Sequence, residues 1–558
     1  MLVIELLTLG SLSYFGSRFA KQHNEKKAAL KARGVLAEKE TPPPPPPPEK
    51  MVVSPQRVKR DLRLSGAALG LSTSGMLLGM PFLSVMSLPG LVCVALPTFR
   101  AALYELRQGR IDTDSNTSMR LLFCLVTGLY SLAALDLTLQ MAVRRQIAQT
   151  GHDFDDRLAV LLGQSTDTVW VARDGAELEV PLYQVDSGTT ILLKPGDTVP
   201  CPGLVIKGSG RVRPLLDTDS AGEPVEPRSS LPAGYVVTQG YLEVTLQHFP
   251  VVFPDMRQEL QQAASGKTEL VKMSMASGNR MAPWMMGIFL AGLPFIGFGR
   301  SAVFLTTRLG VQMEEAGSHN ARQVIMAGLD HGLFIREIAA LERANTVNTL
   351  VFDAALLTHP EAKGLTYPLI ASLRRRQWTK PLSLGMPKPF ALYVIADDEE
   401  TGQHLRDTLG LDDYFNEPLT FGRTRLLGSL QQAGRQVCYV GLPGQGDSLL
   451  KEVALSVAWC PDGLPKPSTA SILLGRDHLR DLVTLFDLAQ AFVARQGSSF
   501  LMPLGVDLLN LSTSLFLNYG LLYSIVLSNA VTLMDVSGSG YVKREPLNGS
   551  AADTPPPT

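Results

Sequence analysis

Charge is scarce in this chain. Only 18% of its 558 residues are charged, against 45% hydrophobic, a balance that leans toward a membrane protein. Neither sign prevails. The formal net charge is -1, so nothing draws the whole chain toward nucleic acid. Cysteine is sparse and scattered. Cys93, Cys124, Cys201, Cys438 and Cys460 include no CxxC or CxC pair, which argues against a zinc ribbon or a paired-thiolate site. Free thiols in a reducing compartment are expected. A glycine-rich phosphate loop is missing as well. GLPGQGD, residues 441–447, has no following Lys-Ser or Lys-Thr, as a P-loop requires.

What the chain does have is a series of apolar runs. Residues 1–17 are apolar apart from Glu5 and are followed by KQHNEKKAALKAR, the pattern of an amino-terminal anchor with a cytoplasmic exit. TPPPPPPPEK then reads as a polyproline II spacer. From Leu64 to Phe99 no residue is charged, enough for two short spans turning at Pro81–Gly90. Arg57, Lys59, Arg60 and Arg63 precede that run and Arg100, Arg107 and Arg110 follow it, so both ends are expected in the cytoplasm. Residues 119–143 read as one long span or a tight pair. Residues 282–307 return to the membrane, and 499–536 have length for two spans.

Two soluble stretches separate these runs. DTVWVARDGAELEVPLYQV and TTILLKPGDTVPCPGLVIKGSG alternate around DG and PGD turns, as in a small all-β domain. Residues 318–490 alternate strand-like and helix-like segments, with TLVFD, FALYVIADD and QVCYVGL as strands of an α/β domain. TLVFD ends on Asp353, and an acid at the carboxyl end of a parallel strand lies where such folds place their sites. Its successors are Ala354, Ala355, Leu356 and Leu357, which offer no hydroxyl to a phosphate.

The order of these segments and their motifs resembles the heavy-metal-transporting branch of the P-type ATPases. FRAALYELRQGRIDTD is similar to the amphipathic stretch before that branch's core helices. VARDGAELEVPLYQVDSGTTILLKPGDTVPCPGLVIKGSG resembles the actuator-domain signature, and HGLFIREIAALERANTVNTLVFD the run into the phosphorylated aspartate. The resemblance covers roughly residues 57–540.

The resemblance also assigns roles, and several fail. It makes Asp353 the nucleophile, but the family's Asp-Lys-Thr-Gly-Thr is here Asp353-Ala354-Ala355-Leu356-Leu357. Thr-Gly-Glu becomes Ala221-Gly222-Glu223, which keeps the water-orienting Glu223. Asp353 and Glu223 are thus vestigial catalytic residues. Thr-Gly-Asp becomes Ala396-Asp397-Asp398, and Arg423 stands for the phosphate-binding lysine, so Asp398 and Arg423 are the phosphate-binding candidates. In the magnesium motif Leu442 replaces the first acid, and Asp447 survives out of register. Asp507, in LMPLGVDLLNL, falls where the branch carries polar residues facing the metal, and joins Asp447 as a metal candidate. The Cys-Pro-Cys position falls near TTRLGVQMEEAG, which has neither residue. Thr358 is followed almost at once by YPLIASLRRRQWTKPL, which resembles the helix returning to the phosphorylation domain. The nucleotide-binding domain is therefore read as deleted.

The expected fold is a multi-pass α-helical membrane protein with an all-β actuator-like domain and an α/β Rossmann-like, haloacid-dehalogenase-type domain. The expected boundaries are an anchor at 1–20, a linker at 21–62 and transmembrane helices at 63–148. An actuator-like domain at 149–270, a transmembrane segment at 280–315 and a phosphorylation-like domain at 318–490 follow. A transmembrane pair at 499–537 and a tail at 538–558 end the chain. The expected function is that of a catalytically inactive relative with a regulatory or partner-binding role in metal or cation transport. Its partners would be the lipid bilayer and another membrane transporter or metal-trafficking protein, with no nucleic acid. No cofactor is expected; magnesium and ATP enter only if the chain is an active pump. It would sit in the plasma or inner membrane with its soluble domains cytoplasmic. The alternatives are an active pump, a phosphohydrolase using Asp353, Asp398 and Asp447, and a passive carrier using Asp507 and Asp136.

Overall fold

A computed structural model describes residues 55–162, 168–173, 176–181, 185, 188–200, 202–215, 222–232, 234–246, 256–376, 390–444, 453–462 and 468–538. The anchor, most of the linker, Ala221, Asp447 and the tail lie outside the described residues. The chain opens with helices α1 (Pro55–Leu77), α2 (Pro81–Met86), α3 (Leu88–Arg107), α4 (Thr113–Val126) and α5 (Tyr130–Leu162). Strands β1 (Thr168–Arg173), β2 (Ala176–Pro181), β3 (Thr190–Leu193), β4 (Gly203–Pro214), β5 (Glu223–Val225), β6 (Ser230–Leu231) and β7 (Tyr235–Leu246) follow. Then come α6 (Met256–Ser265), α7 (Glu269–Ile296), α8 (Phe298–Ser301), a 3-10 turn at Ala302–Thr306 and α9 (Leu309–Leu329). The α/β region runs β8 (Leu333–Ile335), α10 (Ala339–Thr346), β9 (Thr349–Asp353), α11 (Ala354–Leu357), α12 (Thr366–Arg375), β10 (Ala391–Ala396) and α13 (Glu399–Leu409). It continues through β11 (Asp413–Asn416), α14 (Thr420–Gln432), β12 (Val437–Gly441), β13 (Leu455–Trp459) and β14 (Ile472–Leu474). Helices α15 (Leu482–Phe516) and α16 (Leu521–Ser537) close it.

The chain divides into two compact units, one made of residues 1–137 with 279–307, the other of 138–278 with 308–558. In the first, Pro81 and Pro89 stand in the opening turns of α2 and α3, where a missing N–H leaves no bond unmade. Asp112 caps α4 by accepting from the Ser115 N–H, and the Ser115 hydroxyl closes a capping box. α4 stops at Val126 and α5 starts at Tyr130, with Gly128 at φ 78° between them. Residues 119–143 are therefore two helices. α7 ends before Gly297, whose φ of 74° breaks the helix. Among the described residues, two helical stretches are long and apolar enough to cross a membrane, Pro81–Arg107 and His478–Phe516. Leu521–Ser537 is a shorter apolar helix.

Some boundaries differ from the sequence reading. α1 begins at Pro55, inside the stretch read as linker, because nothing between Pro55 and Leu77 breaks a helix. α5 reaches Leu162, past the expected end at 148. α15 begins at Leu482, inside the stretch read as soluble domain, so one helix serves both regions.

The second unit carries two sheets. The first has strand order β2-β1-β3-β7-β4-β5, with β6 beside β4. Its valine-rich inner face includes Val169, Val171, Ile191, Val205, Val237 and Val244. The second sheet has order β11-β10-β9-β12-β13-β14-β8. All its neighbours are parallel except β8 against β14. β9, β12 and β13 are buried along their whole length, as unbroken apolar runs in a covered parallel sheet require. From β9 the chain winds outward to β10 and β11, then returns to β12 on the other side. The β9–β12 boundary is thus the topological switch point, and its carboxyl end is where open α/β sheets build sites.

Candidate functional site

Asp353 closes β9 at that switch point and is 2% exposed. Its carboxylate has three donors. Oδ1 accepts from the Ala355 N–H at 3.0 Å, which makes Asp353 the cap of α11. Oδ2 accepts from the Tyr439 hydroxyl at 2.6 Å and from Arg423 Nη1 at 3.0 Å. Tyr439 comes from β12 and lies opposite Val351, so its side chain reaches forward to the strand end. Arg423 comes from the first turn of α14 and is itself held. Its Nε donates to the Glu417 carbonyl at 2.8 Å, and Nη2 pairs with Asp397. Burial works against the Arg423 charge, but Asp353, Tyr439 and Asp397 outweigh it and raise its pKa. Burial first, and the Asp353 charge second, push the Tyr439 hydroxyl far above the ordinary tyrosine range. Tyr439 therefore stays a neutral donor.

The other sequence candidates stand apart from this group. Asp398 is not the acid that faces Arg423; its neighbour Asp397 is. Asp398 instead caps α13, accepting from the Thr401 N–H at 2.7 Å. That amide, with the Thr401 hydroxyl, holds its carboxyl below the usual range. Glu223 is exposed on β5 of the other sheet, opposite Val212. Asp507 is buried on α15, 6% exposed. Leu442 packs against the apolar core at the end of β12.

The actuator-domain profile of the P-type ATPases matches residues 163–251. Over 202 residues the chain is 29% identical to the cation-transporting P-type ATPase B of Mycobacterium tuberculosis, covering 32% of this chain and 26% of that one. It is 25% identical over 154 residues to a probable copper-exporting P-type ATPase of Archaeoglobus fulgidus, covering 25% and 19%. Residues 163–251 thus carry a P-type ATPase actuator domain. The chain spans about a quarter of the length of the relatives it matches, 26% of the first. Among solved structures it is similar to a zinc-transporting PIB-type ATPase in an E2.Pi state, with 14% identity and a TM-score of 0.47. That match covers 86% of this chain and 98% of the other.

The residues around Asp353 do not fit magnesium. A guanidinium already neutralises the carboxylate, and Leu442 offers an apolar side chain. Among the described residues, no group of three or more His, Cys, Asp or Glu side chains is arranged to hold a metal ion. The whole connection from β9 to β10 is residues 354–390, of which 354–376 and 390 are described. Sequence reasoning missed Tyr439 and the role of Asp397. One signal for Tyr439 was available: a tyrosine in a wholly apolar strand must find a partner for its hydroxyl.

Proposed function

We propose that this P-type ATPase relative is a non-hydrolysing membrane protein that binds and regulates a partner in cation transport. The observation that carries the reading is the closed arrangement at Asp353. Its oxygens already accept from Arg423, Tyr439 and the Ala355 N–H, and a cation is fixed where a phosphoryl group would need entry. Phosphoryl transfer relies on metal and cationic donors aimed at the transferring oxygens. Here the lysine position is Ala354 and the magnesium position is Leu442. In this reading the α/β region is a haloacid-dehalogenase-type domain that has lost its nucleotide-binding insertion. The helices form a multi-pass membrane domain in the plasma or inner membrane, and both soluble regions are cytoplasmic. The partner is another transporter or a metal-trafficking protein that recognises the retained surfaces.

The test is incubation of the purified chain with labelled ATP, with and without magnesium and a panel of transition metals, followed by acid quench. No hydroxylamine-sensitive phosphoprotein is expected. A phosphoprotein that vanishes in Asp353→Asn would restore an active pump. Calorimetry with Mg-ATP should give a dissociation constant on the order of 1 mM or weaker.

A further inference from the structure

The first turns of α4 are polar, yet Thr113, Ser115, Asn116, Thr117 and Arg120 are all buried. Arg120 has a side-chain exposure of 2% and donates from Nη2 to Asp136 Oδ2 at 2.6 Å; the Asp136 side chain is 1% exposed. Its Nη1 donates to the Leu305 carbonyl at 3.2 Å. Leu305 belongs to the 3-10 turn that follows the break at Gly297, and Thr307 after it is extended. A broken helix frees carbonyl oxygens, and a carboxylate beside them completes an oxygen cradle of the kind that holds a cation. In this chain a cation is already there, and it is attached to the backbone.

We infer that Arg120 is a tethered cation that permanently fills the cradle formed by Asp136 and the Leu305 carbonyl, closing it to exchangeable metal ions. The inference rests on the non-hydrolysing reading above and adds to it a feature within the helices, independent of Asp353. It also makes Asp136 a partner for a side chain rather than a step in a passive carrier pathway.

The experiment is thermal unfolding of the full chain in detergent micelles with K+, Mg2+, Mn2+ or Zn2+ added singly. The wild-type melting temperature should not respond to any of them. Arg120→Ala should melt lower and regain several degrees with at least one of these ions, and Arg120→Ala/Asp136→Asn should not regain them. If Arg120→Ala does not fold, the neutral pair Arg120→Met/Asp136→Leu removes both charges together. It should melt close to wild type and ignore the ions. The inference is overturned if wild type binds one of the ions and Asp136→Asn abolishes that binding, or if folded Arg120→Ala responds to none. Metal-stimulated ATP turnover that persists in Asp136→Asn would defeat the non-hydrolysing reading and leave this inference standing.

Discussion

Replacing Arg423 with methionine would strand a buried carboxylate. The Asp353 side chain is 3% exposed and that of Arg423 is 12%, so little water can take over the lost contact. Removing one partner of a buried pair typically costs about 3–5 kcal/mol. Tyr439 and the Ala355 N–H remain as donors, so a loss of about 3 kcal/mol is expected. Asp353→Asn keeps an acceptor for those donors and leaves Arg423 its pair with Asp397, so it should cost about 1–2 kcal/mol. With both substitutions no charge is stranded, and the total should be about 2 kcal/mol, well short of the sum. The coupling, about 2–3 kcal/mol, is the quantity to measure. Urea unfolding of the four full-length proteins in micelles gives it. Hydrogen exchange in β9 and β12 then locates the loss. Additivity within about 0.5 kcal/mol would refute the account. So would an Arg423→Met loss no larger than that of Arg406→Met, whose exposed pair with Asp407 should contribute below about 1 kcal/mol.

Two further perturbations test the packing around the α/β sheet. His319 on α9 is 1% exposed, and burial, then Arg495 and Arg322, lowers its pKa to about 4. Its folded pKa lies below the unfolded value of about 6.5, so its contribution is whole above that pH and is lost as pH falls to about 4. His319→Gln should flatten that acid limb by up to about 3 kcal/mol, read from melts at stepped pH; an unchanged slope would contradict the assignment. Gly332 has φ 61°, and a Cβ there would run into the His478 ring. Gly332→Ala should therefore destabilise the chain by roughly 2 kcal/mol or more by chemical denaturation, whereas a neutral result would mean the ring moves freely.

The strands around the site were legible because their sequence is distinctive. TLVFD, FALYVIADD and QVCYVGL became β9, β10 and β12, three neighbours in one sheet, and Asp353 fell at the strand end as read. A cap for that acid was legible too, since helix starts favour aspartate. Tyr439 was not, because every residue of β12 is buried and no alternation marks which side chain reaches the site. Asp397 and Asp398 are adjacent, and only the three-dimensional course of α14 decides which one meets Arg423. The start of α15 was illegible for a related reason. Its amino-terminal half carries charges that suit a soluble domain and its carboxyl half suits a membrane, so composition changes where the helix does not.

That undivided helix has a consequence for the order of events during synthesis. Leu482, Leu485, Phe486, Leu488, Ala489 and Phe492 belong to the same apolar core as β9 and β12. The α/β sheet is made first, yet its core stays open until α15 emerges. The same helix, 35 residues and about 52 Å long, runs on into the apolar stretch that ends at Phe516. If α15 enters the bilayer as proposed above, closure of the domain must wait for a membrane segment, and until then the sheet exposes surface that invites aggregation. A ribosome stalled before Leu482 would hold a domain that cannot finish folding, and in the membrane reading proposed above the insertion machinery would in effect time that folding.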